Sequence, residues 1–132
     1  MVLDTNVFVA AGFKPRSSSA VIIDAVRQGR LRLVWDAATR RETETVIRRI
    51  PPLDWGRFSG LFEATGEYRG VVDQRSFERI ADPEDRKFAA LAAATGSILI
   101  SSDAHFLSCR DELPITVFTP REFLDRIAFE PT

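Results

Sequence analysis

The sequence has little cysteine and no long apolar segment. Cys109 is the only cysteine in 132 residues, which excludes an internal disulfide and a cysteine cluster for zinc and indicates a reducing compartment. No apolar run approaches the length that crosses a bilayer. The short apolar start has no basic flank, which is not typical of a secretory signal. We therefore expect a cytoplasmic protein with no membrane partner.

The chain also lacks an excess of positive charge: its formal net charge is −1. This argues against broad, charge-driven binding of nucleic acid. The basic residues are nearly all arginine, a side chain that suits bidentate contact with phosphate. Several are grouped in the sequence: Arg27, Arg30 and Arg32, then Arg40 and Arg41, then Arg48 and Arg49. A solvated helix surface is the simpler interpretation of any one group.

The remaining composition is typical of a globular domain. Apolar residues make up 45% of the chain and charged residues 28%, and a chain of this length can bury one core. The sequence contains no repeat, low-complexity segment or linker. We therefore expect a single domain over residues 1–132.

Hydrophobic patterning predicts alternating strands and helices. Apolar segments predict strands at 1–3, 31–35, 68–72, 97–101 and 115–118. Helical periodicity with capping residues predicts helices at 17–28, 37–49, 54–65, 83–95, 104–108 and 120–127. An aromatic stripe in the third helix, formed by Trp55, Phe58 and Phe62, is expected to pack in the core. The alternation predicts an α/β fold, with a parallel sheet covered by helices on both faces.

Two acids directly follow predicted strands. Asp4 follows the first apolar segment, and Asp103 follows the strand at 97–101. Sheets of this kind bind ligands in the crevice at the carboxyl ends of their strands. Each acid also has a purely structural interpretation as the cap of a helix or turn.

Helix geometry adds two further acids. At about 100° per residue, Glu42 lies at the margin of the buried stripe of its helix, whereas Glu44 lies away from it and is expected to pair with Arg48. Asp85 lies on the face of its helix that must pack on the sheet. Asp85 also has a structural interpretation. It lies three residues after the predicted N-cap Asp82, where a negative charge in the first turn stabilises the helix dipole.

Four acids from separate elements are thus expected to converge at one end of the sheet: Asp4, Glu42, Asp85 and Asp103. Carboxylates brought together without compensation repel one another or hold protons. A divalent cation resolves this conflict, and hard oxygen ligands favour Mg²⁺ or Mn²⁺. Such ions can activate a water molecule and stabilise the leaving oxygen in phosphodiester cleavage.

The ordered set of motifs resembles the PIN-domain family, and most strongly its bacterial toxin components of toxin–antitoxin pairs. The resemblance covers nearly the whole chain. It is carried by four segments: Asp4-Thr5-Asn6 after the apolar start, Glu42 within RRETETVIRR, Asp82-Pro83-Glu84-Asp85 before KFAALAAATG, and Ser101-Ser102-Asp103 before Ala104-His105-Phe106-Leu107.

The resemblance implies a three-layer α/β/α sandwich with a parallel sheet of about five strands, and RNA cleavage with Mg²⁺ or Mn²⁺. The family's acidic site matches Asp4, Glu42, Asp85 and Asp103. Asn6 and Ser102 match polar positions that orient acids or bound water, and Asp82 could replace or assist Asp85. RNA is the implied substrate. A cognate antitoxin and a second copy of the chain are the implied protein partners.

Other interpretations are open at this point. A phosphotransferase with Asp4 as nucleophile would usually need a second acid two residues later, where Asn6 stands, and a phosphate-accepting signalling domain fails for similar reasons. A non-catalytic PIN-like module that binds RNA or a protein is the stronger rival. His105, the only histidine, could contact a phosphate or relay a proton, although a surface role is simpler.

Overall fold

The structure, a computed structural model, describes residues 1–127. Three short parallel strands form its sheet in the order β1 (Val2–Leu3), β2 (Leu99–Ile100) and β3 (Val117–Phe118). The strands predicted at 1–3, 97–101 and 115–118 are therefore confirmed in position. The prediction of about five strands is wrong for the described residues, because 31–35 and 68–72 form none.

Six α-helices surround the sheet. They are α1 (Thr5–Phe13), α2 (Ser18–Arg27), α3 (Ala37–Arg48), α4 (Arg86–Thr95), α5 (Ala104–Cys109) and α6 (Pro120–Ile127). Short 3₁₀ turns occur at Trp55–Arg57, Ser59–Leu61, Ala64–Gly66, Arg75–Phe77 and Arg110–Glu112. The first helix was not anticipated, since its apolar residues at 7–9 directly follow the strand and the acid.

Local capping explains why several helix ends were predicted correctly. Ser17 Oγ accepts a hydrogen bond from Ala20 N at 3.1 Å and begins α2. Asp36 Oδ1 accepts from Thr39 N at 2.9 Å in a reciprocal capping box that begins α3. Gly96 ends α4 in the left-handed conformation, with φ of 65°. Each such cap stabilises its helix by about 1 kcal/mol.

The segment at 31–35 lies beside the sheet without joining it as a strand. The carbonyl of Arg32 accepts from the terminal ammonium of Met1 at 3.1 Å, and Val34 N donates to the carbonyl of Met1 at 2.9 Å. Trp35 makes one isolated parallel bridge, with Glu67. A ladder needs successive pairings along both chains, and these two hydrogen bonds to Met1 are the extent of the pairing on this side among the described residues. The two missing strands are thus reduced to a single bridge.

The third predicted helix, at 54–65, is replaced by 3₁₀ turns. Two glycines in this segment, Gly56 and Gly60, each disfavour an α-helix by about 1 kcal/mol. The prediction that its aromatic side chains pack in the core is confirmed. Trp55 and Phe58 are buried, and the Phe62 ring stacks on Phe8 with centroids 5.6 Å apart.

The helix predicted to begin at 83 begins instead at Arg86. Asp82, predicted to be its N-cap, uses Oδ1 to accept from Glu84 N at 3.0 Å and so closes a turn before the helix. Asp85 takes the N-cap position without using its side chain as a cap. The carboxylate of Asp85 is therefore available for other contacts.

Helices cover both faces of the sheet, as the α/β prediction requires. Side chains alternate between the faces along each strand. Leu3 and Ile100 face a core shared with α1, α2, α3 and α6, whereas Val2 and Leu99 face a second core shared with α4 and α5. Burying each large apolar side chain contributes about 1.5–3 kcal/mol. Within the described range, no helix combines the length and apolarity that a membrane crossing requires.

Candidate active site

The register of β1 and β2 brings two chain segments together at one edge of the sheet. Leu3 pairs with Ile100, so one residue further along each strand Asp4 comes to lie beside Ser101. Asp4 N donates to the carbonyl of Ile100 at 3.0 Å and continues the ladder. Asp103 lies two residues beyond Ser101. Two of the acids expected at this edge are therefore placed there by the sheet itself.

Asp4 is almost fully buried, with 2% of its surface exposed. Its Oδ2 accepts a hydrogen bond from Ser101 Oγ at 2.6 Å. Burial raises the pKa of Asp4 to about 7, the Ser101 hydrogen bond opposes this rise, and the nearby charges of Asp85 and Asp103 add to it. The environment of Asp4 therefore disfavours its ionised form unless a positive charge is close by.

Ser101 belongs to this cluster, although the sequence analysis assigned it no role. Its buried hydroxyl donates to Asp4 and accepts from Asp103 N at 3.0 Å, so one side chain orients two acidic segments. Ser102, the predicted polar neighbour, is exposed. The sequence alone does not give the register of β1 with β2. Only this register shows that Ser101 lies beside Asp4.

Asp103 is the N-cap of α5 and contacts residues from two other parts of the site. Its Oδ1 accepts from His105 N at 2.7 Å. Its Oδ2 accepts from Asn6 Nδ2, on α1, at 3.4 Å. Asp103 is therefore a helix cap, as the structural interpretation holds, but only one of its oxygens is used for capping. The other oxygen contacts Asn6 of α1.

Asp85 has an oxygen that makes no hydrogen bond among residues 1–127, with the imidazole of His105 3.5 Å away. Its side chain is 13% exposed, and the buried Oδ2 atom makes no hydrogen bond. Burial raises the pKa of Asp85 to about 6, the charges of Asp103 and Asp82 add to the rise, and His105 opposes it. An unsatisfied buried carboxylate oxygen is costly, which points to a group that binds it in the working protein.

His105 lies between two of the acids although its side chain is half exposed. Nδ1 is 3.5 Å from Asp85 Oδ2 and 3.4 Å from Asp103 Oδ1. Asp82, Asp85 and His105 each offer one ligand atom, and these atoms lie within 4.8 Å of one another. The surface interpretation of His105 is therefore incomplete, since the imidazole faces the acidic site.

Glu42 lies on α3, with 24% of its side chain exposed, and contacts α4 rather than the sheet edge directly. Its Oε2 is 3.6 Å from Lys87 Nζ. Burial raises the pKa of Glu42 and neighbouring Glu84 adds to the rise, whereas Lys87 opposes it. Glu44, the residue most easily confused with it, pairs with Arg48 at 2.8 Å, as predicted.

A buried hydrogen bond connects the segments that carry Asp4 and Glu42. Thr5 Oγ1 and Thr43 Oγ1 are 3.1 Å apart, and each threonine directly follows one of these acids. The structure thus brings Asp4, Asp85 and Asp103 into mutual electrostatic contact, while Glu42 is held on the neighbouring helix beside Lys87.

The donor set fits a hard divalent cation. Asp4, Asp85 and Asp103 supply carboxylate oxygens, which Mg²⁺ and Mn²⁺ prefer. Asp85 Oδ2 makes no hydrogen bond within the described residues, and the pKa values of Asp4 and Asp85 are raised. A bound cation would satisfy the free oxygen and lower both pKa values, because it favours the ionised carboxylates.

Comparison with known proteins identifies a family and includes a solved structure of similar fold. The sequence model of the PIN domain matches residues 1–105, a range that contains all four acids. No curated protein matches the chain. The crystal structure of FitAcB from Neisseria gonorrhoeae superposes with a TM-score of 0.55 at 18% identity, over 91% of this chain and 97% of that chain. At this identity the likeness is one of fold.

Proposed function

Since this chain belongs to the PIN-domain family, we propose that it is a metal-dependent ribonuclease, a phosphodiester hydrolase that works as a single domain in the cytoplasm. The observation that supports this most directly is the buried Oδ2 of Asp85, which makes no hydrogen bond and lies 3.5 Å from the imidazole of His105. This oxygen lies in a cluster with Asp4 and Asp103: the charge of Asp103 raises the pKa of both Asp4 and Asp85, and the charge of Asp85 raises that of Asp4 as well. A cation that joins such a cluster would stabilise the ionised form of its carboxylates.

In this proposal the residues divide into ligands and residues that orient them. Asp4, Asp85 and Asp103 hold the Mg²⁺ or Mn²⁺, and Ser101 fixes the carboxylate of Asp4. Asn6 orients Asp103 through its amide. When bound, the ion supplies positive charge at a phosphate oxygen and makes a water more acidic. Asp82 assists from the turn before α4, within reach of Asp85.

Hydrolysis needs a water oxygen to bond to phosphorus while the bond to the leaving ribose oxygen breaks. The water loses a proton and the leaving oxygen gains one. Glu42 is the fourth carboxylate of the site, acting as a further ligand or as the base that takes the water's proton. Burial raises the pKa of Glu42, which makes its carboxylate a better proton acceptor than an exposed one.

Exposed arginines are proposed to contact the RNA phosphates. Of the grouped arginines, Arg27, Arg40 and Arg48 form ion pairs with acids. The other four are exposed and make no ion pair within residues 1–127: Arg30, Arg32, Arg41 and Arg49. Because arginine binds phosphate through a planar fork of donors, these four are the ones available for a single-stranded or structured RNA.

The resemblance of the sequence motifs to bacterial toxin components supports a more specific proposal. We propose that the chain is the toxin of a toxin–antitoxin pair, that it forms a homodimer, and that a small cognate antitoxin silences it. Co-expression with the protein encoded by the neighbouring gene tests this part. Growth arrest by the chain alone, relieved by the neighbour, is the expected result.

Cleavage of labelled RNA by the purified protein tests the enzymatic proposal. We expect cleavage with Mn²⁺ or Mg²⁺, none in EDTA, and a loss of at least about 100-fold in Asp4→Asn and Asp103→Asn, since a metal site contributes several kcal/mol. Asp125→Asn is the matched control, because Asp125 pairs with Arg121 on the surface of α6. A non-catalytic module that binds RNA would show neither the EDTA effect nor the loss in the variants.

A further inference from the structure

Lys87 is the one lysine near the acidic site. The chain has eighteen lysines and arginines in total, of which only Lys14 and Lys87 are lysines, and Lys14 is exposed. The side chain of Lys87 is 17% exposed. It lies in the first turn of α4, two residues after Asp85. A lysine ammonium is a compact point charge with three donors, unlike the planar fork of arginine.

The ammonium of Lys87 is shared between two carboxylates. Nζ is 2.7 Å from Glu84 Oε2 and 3.6 Å from Glu42 Oε2. Glu84 is mostly exposed, whereas Glu42 is largely buried on α3. The two acids come from different parts of the chain, and the single ammonium offsets part of their combined negative charge at the junction of α3 with α4.

The remaining acids have no such partner. Within residues 1–127, no lysine or arginine nitrogen lies within 4.0 Å of Asp4, Asp85 or Asp103, and the imidazole of His105 is the nearest basic group. The acidic region is therefore divided in two. Glu42 has the ammonium of Lys87 beside it. The three acids at the sheet edge have no lysine or arginine beside them within the described residues.

We propose that Lys87 takes the place of a second divalent ion, so that the site binds a single Mg²⁺ or Mn²⁺ at Asp4, Asp85 and Asp103. This inference rests on the proposed function and specifies it further. Paired metal ions in nucleases lie about 3.5–4 Å apart, and a second ion that used the fourth acid of the proposed site would bind the carboxylate of Glu42. That carboxylate already faces an ammonium, which would repel a dication entering beside it.

The same arrangement assigns Glu42 a role. Held by Lys87 as an ion pair, Glu42 is outside the coordination sphere and is free to accept a proton from a water molecule. Glu84 contacts the same ammonium of Lys87 from the solvent-exposed side. Removing the ammonium would leave Glu42 and Glu84 as two adjacent carboxylates without a positive charge, which is a ligand pair for a divalent ion.

Metal stoichiometry tests the inference without reference to activity. Mn²⁺ is titrated into the full chain, and free Mn²⁺ is followed by electron paramagnetic resonance. We expect one Mn²⁺ per chain for the wild type and two for Lys87→Met. Lys87→Arg retains the positive charge and should bind one. Lys14→Met is the matched control on the surface and should also bind one.

The outcomes separate this inference from the proposed function. Two Mn²⁺ in the wild type, or one in both the wild type and Lys87→Met, would overturn the role of Lys87 and leave the nuclease proposal intact. No Mn²⁺ in the wild type would overturn both.

A second variant keeps the test decisive if Lys87→Met does not fold, as checked by circular dichroism. Glu42→Gln should still bind one Mn²⁺ with an affinity close to that of the wild type, because Glu42 is not a ligand. A loss of more than about tenfold in affinity would overturn the inference.

Discussion

Ser101 Oγ donates a hydrogen bond to Asp4 Oδ2 at 2.6 Å and joins the ends of two neighbouring parallel strands. The same oxygen accepts from the backbone of Asp103 at 3.0 Å. A single buried hydroxyl therefore fixes the distance between two acids that lie 99 residues apart in the chain. It also favours the ionised form of Asp4, against the effect of burial.

Replacing Ser101 by alanine should reduce RNA cleavage by about tenfold, because an unpaired buried hydrogen-bonding group costs about 1–3 kcal/mol. Ser102→Ala is the matched control, since Ser102 is exposed, and it should leave cleavage unchanged. Initial rates at saturating Mn²⁺ measure both. An equal or larger loss in Ser102→Ala would show that the wrong serine has been assigned to the site.

Replacing Asp85 by asparagine should stabilise the metal-free protein and abolish metal binding. The buried Oδ2 without a hydrogen bond and the nearby charges of Asp82 and Asp103 destabilise the folded state when no cation is present. We expect a gain of about 1 kcal/mol in the free energy of unfolding at pH 8 in EDTA. Urea unfolding with and without Mn²⁺ measures it, and stabilisation by Mn²⁺ should be seen only in the wild type.

The stability of the metal-free protein should fall as the pH rises from 5.5 to 8. The pKa of Asp4 is raised from 3.8 to about 7 on folding, so between these values the folded state holds a proton that the unfolded state has lost. The free energy of unfolding therefore decreases with pH across this window, by about 2 kcal/mol from Asp4. Asp85, with a pKa raised to about 6, adds in the same direction.

Guanidinium unfolding in EDTA at the two pH values measures this dependence. Glu122, whose pKa is lowered to about 2 by its hydrogen bond from Arg110, contributes its pH dependence below the window and does not interfere. Asp4→Asn should lose most of the slope. A wild type that is more stable at pH 8 than at pH 5.5, or an equal slope in Asp4→Asn, would contradict the assignment.

The buried pair of Thr5 and Thr43, 3.1 Å apart, should contribute to stability and to the placement of Glu42. Thr43→Val leaves the Thr5 hydroxyl unpaired and should lower the free energy of unfolding by about 1–3 kcal/mol. Thr45→Val, on the same helix, is the control. In a double-mutant cycle with Thr5→Val, the combined loss should be smaller than the sum of the single losses, and simple additivity would argue against the pair.

Features set by neighbouring residues were predictable from the sequence. Ser17 and Asp36 are the N-caps of α2 and α3, and each binds a backbone N–H three residues later. Gly96 ends α4 at the position that the sequence pattern predicts. Asp4 and Asp103 could be placed at one edge because parallel strands carry their carboxyl ends to the same side. Each of these inferences needs only a few consecutive residues and the rules of strand and helix geometry.

Features set by contacts between distant parts of the chain were not predictable. The segment at 31–35 is not a strand, because its contacts with Met1 and its single bridge to Glu67 do not continue into a ladder, and these partners lie far from it in the sequence. Ser101 was overlooked because its partner depends on the register of β1 with β2. Lys87 was not connected with Glu42 because their contact spans the packing of α3 against α4.

The most direct test of the central claim is a crystal structure of the protein soaked with Mn²⁺, with the metal located by anomalous scattering. We expect one anomalous peak per chain, with oxygens of Asp4, Asp85 and Asp103 at about 2.0–2.2 Å and Lys87 still bound to Glu42. A fully occupied peak elsewhere, or carboxylates that remain as they are with no peak among them, would contradict the claim that these acids form a metal site.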